Sequence, residues 1–576
     1  MADAIKKINQ KLEKKFGGRF IARAERQHTV LEGESGGWSE IVAAGHLAAK
    51  NNKGSAGLVN GIHYTGEVPP ARMPEVEDDA LEGAAPDVLV IGGGIIGCAI
   101  ARELTRLKLD VLLIEKECDV ALHASSRNDG VVHPGLDLIK KKKLKYQYNH
   151  RGNALYDQLC KDLQVAFERR GQYIAFPKKT PNFLLRFMRW FWKRLGVPSK
   201  ALSLSEAQAQ FPGINEGLEK LLFFPTAAHV CPYGVTIALA ENAIQNGAKV
   251  SLNTMALSME TEGGQIKAVR TNRGTVRPRL VINAAGTFSE DIAAMAGDRF
   301  FSIHPRRGTN TILDKKTNAQ VSHETFAAMF TGGNKLLSSS GQHTKGGGIV
   351  LTAHRNLLLG PDAVETPDRE DFSTHPESIQ NIFSKQNKAS KLLHQGQIIT
   401  YFTGVRAPTY EEDFVVRKGL YTKNLIHAAG MQSPGVTAAP AVAEDIAAWT
   451  AELLNPAPNE NFNPVRPAII NAAELPELER GALIRENPDY GVILCRCEQI
   501  SRGEILAAMR RPLPCDSVDG IKRRVRAGMG RCQGGFCGPQ VAMVIAEELH
   551  IPLEQVRKSG RGSEILFGSI KEGVSA

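Results

Sequence analysis

The chain has 576 residues, 42% hydrophobic and 23% charged, which exceeds one compact core and excludes bulk disorder. A formal net charge of +10 spread over this length favours anionic small molecules, anionic lipid or an acidic partner. It does not favour nucleic acid, because no arginine-rich arm or recognition module accompanies it.

Residues 1–85 read as an N-terminal extension and linker, with a short basic amphipathic helix over 5–16 and an extended, Gly-, Pro- and acid-rich stretch over 50–85. The lysine-rich start lacks the apolar core of a signal peptide. No run of about 18 apolar residues occurs, so no membrane-spanning helix is expected and a cytoplasmic location is.

Residues 86–455 alternate apolar strands with helical stretches, an α/β pattern. Residues 87–91 are the short apolar run of a buried parallel strand. Gly92, Gly94 and Gly97 follow as G-x-G-x-x-G, residues 95–107 read as a helix, and the next strand, 111–114, ends in Glu115. The first glycine permits the turn, the second lets a pyrophosphate approach the backbone, and the third lets helix and strand pack closely. The helix N-terminus favours phosphate, and Glu115 stands where a carboxylate binds ribose hydroxyls. This pattern marks a dinucleotide site without separating FAD from NAD.

The run Lys140 to Lys143 reads as a solvated loop. Over residues 183–197, Arg186, Arg189, Lys193 and Arg194 face one side of a helical wheel, and Phe187, Trp190, Phe191 and Leu195 the other. That is the chemistry of a helix on anionic lipid. It is equally that of a helix packed over the substrate-binding part or against another subunit, and packing is the preferred expectation.

Residues 456–475, dense in Pro and Asn, form a linker, and 476–576 a separate small domain holding Cys495, Cys497, Cys532 and Cys537. Such a cluster does not resemble a secreted disulfide framework and belongs to a reducing compartment. Four thiolates in two tight pairs can hold a [2Fe-2S] cluster. A structural zinc is the rival, less suited to a pair as tight as C-x-C. Cys515 has no matching partner and reads as a plain thiol. Arg496, Arg523, Arg524, Arg526 and Arg531 flank the ligands and, if near them in space, would raise the cluster potential.

Several segments carry a family resemblance. Residues 123–135, with Ser125, Ser126, Asn128 and Gly130, resemble the segment beneath the flavin in the D-amino-acid-oxidase-like superfamily. Residues 281–286, with Ala285 and Gly286, are similar to its second FAD contact. Residues 424–440, with Gly430, Ser433, Gly435 and Thr437, resemble the strand–turn–helix over the flavin pyrimidine. Within that superfamily, residues 151–155, 224–225, 229–233, 346–361 and 404–406 are most similar to the glycerol-3-phosphate dehydrogenase and L-2-hydroxyglutarate oxidase branch. Residues 528–530 and the cysteine pairs resemble the bacterioferritin-associated-ferredoxin-like [2Fe-2S] domain.

The resemblance implies a mixed α/β and α+β fold. A Rossmann-like FAD-binding domain (parts about 86–150, 225–300 and 400–455) would interleave with an antiparallel-sheet substrate domain, before a small, mainly helical [2Fe-2S] domain. It implies an FAD-dependent dehydrogenase that oxidises a small anionic hydroxylated substrate, glycerol 3-phosphate first, by hydride transfer to flavin N5. Electrons would pass through the cluster to a partner flavoprotein or iron–sulfur subunit, and peripheral contact with the inner face of a membrane is compatible with this. His133 and His354 are then the candidate bases, each set against the plainer expectation of a structural histidine. Arg406 is the anion clamp, with Arg307 a weaker second. Asp137 stands near the place where respiratory glycerol-3-phosphate dehydrogenases carry an arginine. That keeps L-2-hydroxyglutarate, or another 2-hydroxy or amino acid, as the alternative substrate. A non-catalytic flavin and iron–sulfur electron-transfer subunit is the rival from another class.

Overall fold

A computed structural model describes residues 1–136, 138–321, 328–331 and 347–568; Asp137 and Gly346 lie outside them. Short runs of fully buried apolar residues form the centre of the molecule. They can be apolar on every side because both faces of a parallel sheet are covered. Val88–Ile91 lies between Val111–Ile114 and Leu280–Asn283, all parallel, with Lys249–Ser251 and Leu425–Ala429 adding parallel strands outside them. Val415–Lys418 closes that edge antiparallel.

Helices Ile95–Leu104, Pro232–Gln245 and Gly435–Leu454 pack on one face of this sheet, around Val90, Ile100, Leu113, Leu239, Ile282 and Val442. The antiparallel ribbon Ala256–Glu262, Gln265–Thr271 and Gly274–Val276 covers the other face through Ile266, Val269 and Val276. A nine-stranded, largely antiparallel sheet stands beside it. In that sheet Arg306–Leu313 pairs with both Leu357–Gly360 and Ile398–Arg406. The register sets Arg306 opposite Arg406, so the sheet delivers that residue to the boundary with the parallel sheet.

The N-terminal region is more ordered than a linker. Helix Ala2–Phe16 buries Ile8, Leu12 and Phe16 on the hairpin Phe20–Glu25 and His28–Ser35, and helix Trp38–Asn51 completes a small core. Within the stretch expected to be extended, Leu58–Asn60 and His63–Tyr64 pair parallel with His28–Ser35, so part of it is sheet. Tyr410, from the oxidoreductase body, fills this core. Gly45 permits the fit, because a Cβ there would lie 2.3 Å from the Tyr410 ring.

Beyond residue 476, helices Glu477–Glu486, Arg502–Met509, Val518–Val525 and Gly538–Leu549 surround a two-stranded ribbon, Ile493–Cys495 with Ile500–Ser501. This unit docks on the body through buried charge. Arg524 donates to both oxygens of Asp119 at 2.8 and 3.1 Å, and Arg511 meets the fully buried Glu241 at 2.6 Å, as does Arg466 from the preceding linker. Burial alone would raise the Asp119 carboxyl, but the Arg524 charge holds it below its usual range.

Candidate active site

The glycine turn is shaped by what a side chain would strike. Gly92 sits at φ 114°, and a Cβ on Gly97 would lie 1.9 Å from the Gly92 carbonyl oxygen. The turn therefore brings the N-terminus of helix Ile95–Leu104 to the sheet edge, with Ser125 Oγ accepting the Ile95 N–H at 2.9 Å. Glu115 accepts N–H groups from Gly93 at 2.6 Å and Glu117 at 2.9 Å; burial raises its carboxyl above the usual range.

A cavity of about 980 Å³ opens above these strand ends. Gly92, Gly94, Glu115, Ser125 and Asn128 line one stretch, and Ala285, Gly286, Ser433 and Gly435 another. Helix Gly435–Leu454 also presents its N-terminus there. Gly97, Ser126, Gly130, Gly430 and Thr437 stand behind the wall instead. Gly130 and Gly430 hold positive φ where a Cβ would meet Val230 O or Thr409, and Thr437 Oγ1 accepts the His133 N–H at 2.9 Å.

His133 and Arg406 line this same cavity. The His133 carbonyl accepts from Asn149 and Asn153 at 3.2 and 3.0 Å, and Ser433 Oγ lies 3.3 Å from His133 Nε2. Arg406 donates to the Asp362 carbonyl at 3.1 Å and forms no ion pair among the described residues. Burial, then the neighbouring Arg306, lowers its pKa, which raises its demand for an anion. A Cβ on Gly308 would sit 2.1 Å from the Arg406 guanidinium, so that glycine makes room for it. Arg307 pairs with Asp371 at 2.7 Å.

His354 is not among the lining residues. Its Nε2 is buried without a partner, and burial followed by the charges of Arg526 and Lys315 depresses its pKa. Arg526 belongs to the C-terminal unit, where it donates to Tyr233 Oη at 3.2 Å, so a charge of that unit acts on His354. Sequence reading did not single out Gln172, Gln432, Lys385 or Lys388, which do line the cavity. Their only signal is convergence in three dimensions.

The four cysteines of the C-terminal unit converge. Cys497 and Cys532 Sγ are 3.6 Å apart, and the Cys495 and Cys537 thiols are hydrogen-bonded. N–H groups of Gly528 and Glu498 point at Cys495, and those of Phe536 and Gly534 at Cys532. Gly530 is required, because a Cβ there would meet Cys497 Cβ at 2.2 Å. Four thiols with converging N–H donors fit an iron–sulfur cluster. The glycine turn, two helix N-termini and a buried carboxylate around one cavity fit a flavin dinucleotide. The flanking arginines are largely spent elsewhere: Arg523 and Arg524 on Asp119, Arg526 on Glu498, and Arg531 on Asp314. Arg496 instead lies over the Phe536 ring at 4.5 Å.

Two family models match. "FAD dependent oxidoreductase" covers residues 87–449, and "BFD-like [2Fe-2S] binding domain" covers 493–547. The chain is 36% identical over 493 residues to a glycerol 3-phosphate dehydrogenase of Caloramator mitchellensis, covering 85% of this chain and 99% of that protein. It is 22% identical over 500 residues to one subunit of the anaerobic glycerol-3-phosphate dehydrogenase of Escherichia coli K12, covering 80% and 88%. Among solved structures, an FAD-bound L-alpha-glycerophosphate oxidase from Mycoplasma pneumoniae superposes with a TM-score of 0.59 at 24% identity, over 66% of this chain and 98% of that one.

Proposed function

The chain belongs to the FAD-dependent oxidoreductase family, with FAD and a BFD-like [2Fe-2S] cluster as cofactors, and from that premise we propose that it dehydrogenates glycerol 3-phosphate. The observation that carries the reading is the meeting of His133 and Arg406 on the walls of one cavity. Arg406, held by one backbone carbonyl, has guanidinium donors left for a phosphate, which it would bind through paired, charge-assisted hydrogen bonds. Lys385 and Lys388 add positive charge along the cavity. His133, positioned through its backbone by Thr437, Asn149 and Asn153, would take the substrate hydroxyl proton at Nε2, beside Ser433. FAD, when bound, supplies the two-electron acceptor for the carbinol hydrogen. Residues Gly92, Gly94, Glu115, Ser125, Asn128, Ala285, Gly286 and Gly435 would hold it. Gly97, Ser126, Gly130, Gly430 and Thr437 would support that wall, and His354 takes no part at the reacting atoms.

The four cysteines would hold the cluster, and its unit is clamped to the body by Arg524 and Asp119, which supports an internal relay to an external partner. The Escherichia coli relative is named for one subunit of its enzyme, which supports a further, electron-accepting chain in that role. Helix Asn182–Arg194 buries Leu185, Met188 and Trp192 on the body, yet leaves Phe183, Phe187 and Trp190 respectively 74%, 56% and 48% exposed. Beside Arg186, Lys193 and Arg194 these rings suit peripheral contact with anionic lipid. Among the described residues, no helix is long and apolar enough to cross a membrane.

An anaerobic visible titration of the holoenzyme tests the reading. Bleaching of the flavin by glycerol 3-phosphate, followed by loss of cluster absorbance, is the expected result. Bleaching by L-2-hydroxyglutarate alone would replace the substrate. A flavin bleached by dithionite but by neither substrate would leave an electron-transfer role without catalysis.

A further inference from the structure

We propose that His46, His304 and Glu412 bind a divalent transition-metal ion, zinc, at the seam between the N-terminal unit and the oxidoreductase body. One ligand atom from each of the three lies within 4.8 Å of the other two. Zinc held at about 2.0–2.2 Å by nitrogen and oxygen draws its ligands together to roughly 3.5 Å, so small rotamer shifts would close the set.

The tautomers suit ligation. His304 is fully buried, and its Nδ1 lies 2.8 Å from Glu365 Oε2. A carboxylate only accepts, so Nδ1 carries the hydrogen and Nε2 keeps a bare lone pair. That Nε2 is buried with no hydrogen-bond partner. An unsatisfied buried acceptor is destabilising, and a cation would relieve it. His46, on helix Trp38–Asn51, has Nδ1 3.3 Å from the Tyr410 carbonyl, which can only accept, so that nitrogen carries the hydrogen. The two rings meet edge-on with centroids 4.8 Å apart. An imidazole N–H spent on a carboxylate or carbonyl is the usual outer-shell support of a metal-bound histidine.

Glu412 is held in the same manner. Arg306 donates to its Oε1 at 3.0 Å and Gln432 to its Oε2. Arg306 also bonds Glu365, so one guanidinium fixes both carboxylates of the site. Lys145, 3.5 Å from Glu412, and Arg306 compete with an ion for this carboxylate, which makes the affinity lower than that of a four-ligand structural zinc. A second group, Glu117, His123 and Glu370, differs in the decisive respect. There His123 spends Nε2 on Glu117 at 2.8 Å.

The location gives the ion a task. Residue 46 lies outside both matched family regions, which begin at 87 and 493, whereas His304 and Glu412 lie inside the first. The site therefore exists only when the N-terminal unit is docked. Its outer-shell Gln432 lines the flavin cavity, which ties docking to the shape of that cavity.

The test uses the full holoenzyme, equilibrated with zinc chloride and then with metal-free buffer. Zinc, iron and FAD are counted on the same sample, and the zinc environment is read by X-ray absorption. The expected result is about one zinc per chain with nitrogen and oxygen ligands. Zinc falls at least tenfold in His46→Ala, is retained in His46→Asp, and FAD and iron stay unchanged in both. Zinc that persists in His46→Ala, zinc with sulfur ligands, or no zinc retained by the parent protein would overturn the proposal. Should His46→Ala not fold, His304→Gln takes its place with the same readout. Because none of these readouts involves turnover, failure here is separate from failure of the proposed substrate.

Discussion

At the scale of single residues, the proposed chemistry rests on His133 and Arg406. His133→Asn, with its backbone contacts to Thr437, Asn149 and Asn153 intact, is expected to lower kcat about 10²–10⁴-fold while FAD content stays the same. Arg406→Lys removes the planar fork, and loss of one charge-assisted bond of about 1.5–3 kcal/mol predicts a KM for glycerol 3-phosphate raised at least tenfold. His229 belongs to the stretch 229–233, and burial, with Arg170 and His133 nearby, lowers its pKa to about 3. The unfolded chain takes up this proton below about pH 6.5, and the folded chain only near 3. Its contribution is therefore complete above pH 6.5 and is lost on acidification, by up to about 1.4 kcal/mol per pH unit through that window. Denaturant midpoints at pH 7 and pH 5 should differ for the parent protein, and His229→Asn should narrow that difference.

At the scale of elements, one helix resolves an ambiguity that its pattern left open. In Asn182–Arg194 the residues Leu185, Met188 and Trp192 pack on the sheet strands Gln172–Phe176 and Lys220–Phe224, so packing is intramolecular. Phe183, Phe187 and Trp190 recur on the other side and remain outside. A wheel drawn from sequence shows two apolar arcs but not which of them meets the body. Phe187→Glu with Trp190→Glu should abolish co-sedimentation with anionic vesicles and leave the melting temperature within a degree or two, because neither ring is in the core. Unchanged sedimentation would remove the lipid reading. The N-terminal helix was equally legible over residues 5–16, yet the strands Leu58–Asn60 and His63–Tyr64 were hidden by the Gly, Pro and acidic residues around them. Three- and two-residue strands carry too little alternation to be read, and exist because His28–Ser35 offers them an edge.

At the scale of the whole molecule, the two cofactor units are held by charge buried at their seam. Asp119→Ala would strand Arg524, whose side chain is only 1% exposed, and breaking a buried pair of this kind costs about 3–5 kcal/mol. The expected outcome is normal FAD and iron content, slowed loss of cluster absorbance after flavin reduction, and faster proteolysis in residues 456–475. The amino-acid order by itself determined the parallel strand and its glycine turn, because the steric demands of Gly92 and Gly97 are met within a few residues. It determined the paired cysteines in the same way, since each pair is local. Tertiary structure alone decided that His133 and Arg406 share one cavity while His354 stays out of its lining, and that Asp119 rather than the cluster receives Arg523 and Arg524. It also decided that Lys385, Lys388, Gln172 and Gln432 reach the cavity, and that His46 meets His304 and Glu412. These are encounters between segments tens to hundreds of residues apart. Which side chains meet there depends on sheet register and on how separately folded units dock, and neither is written in the local periodicity of the chain.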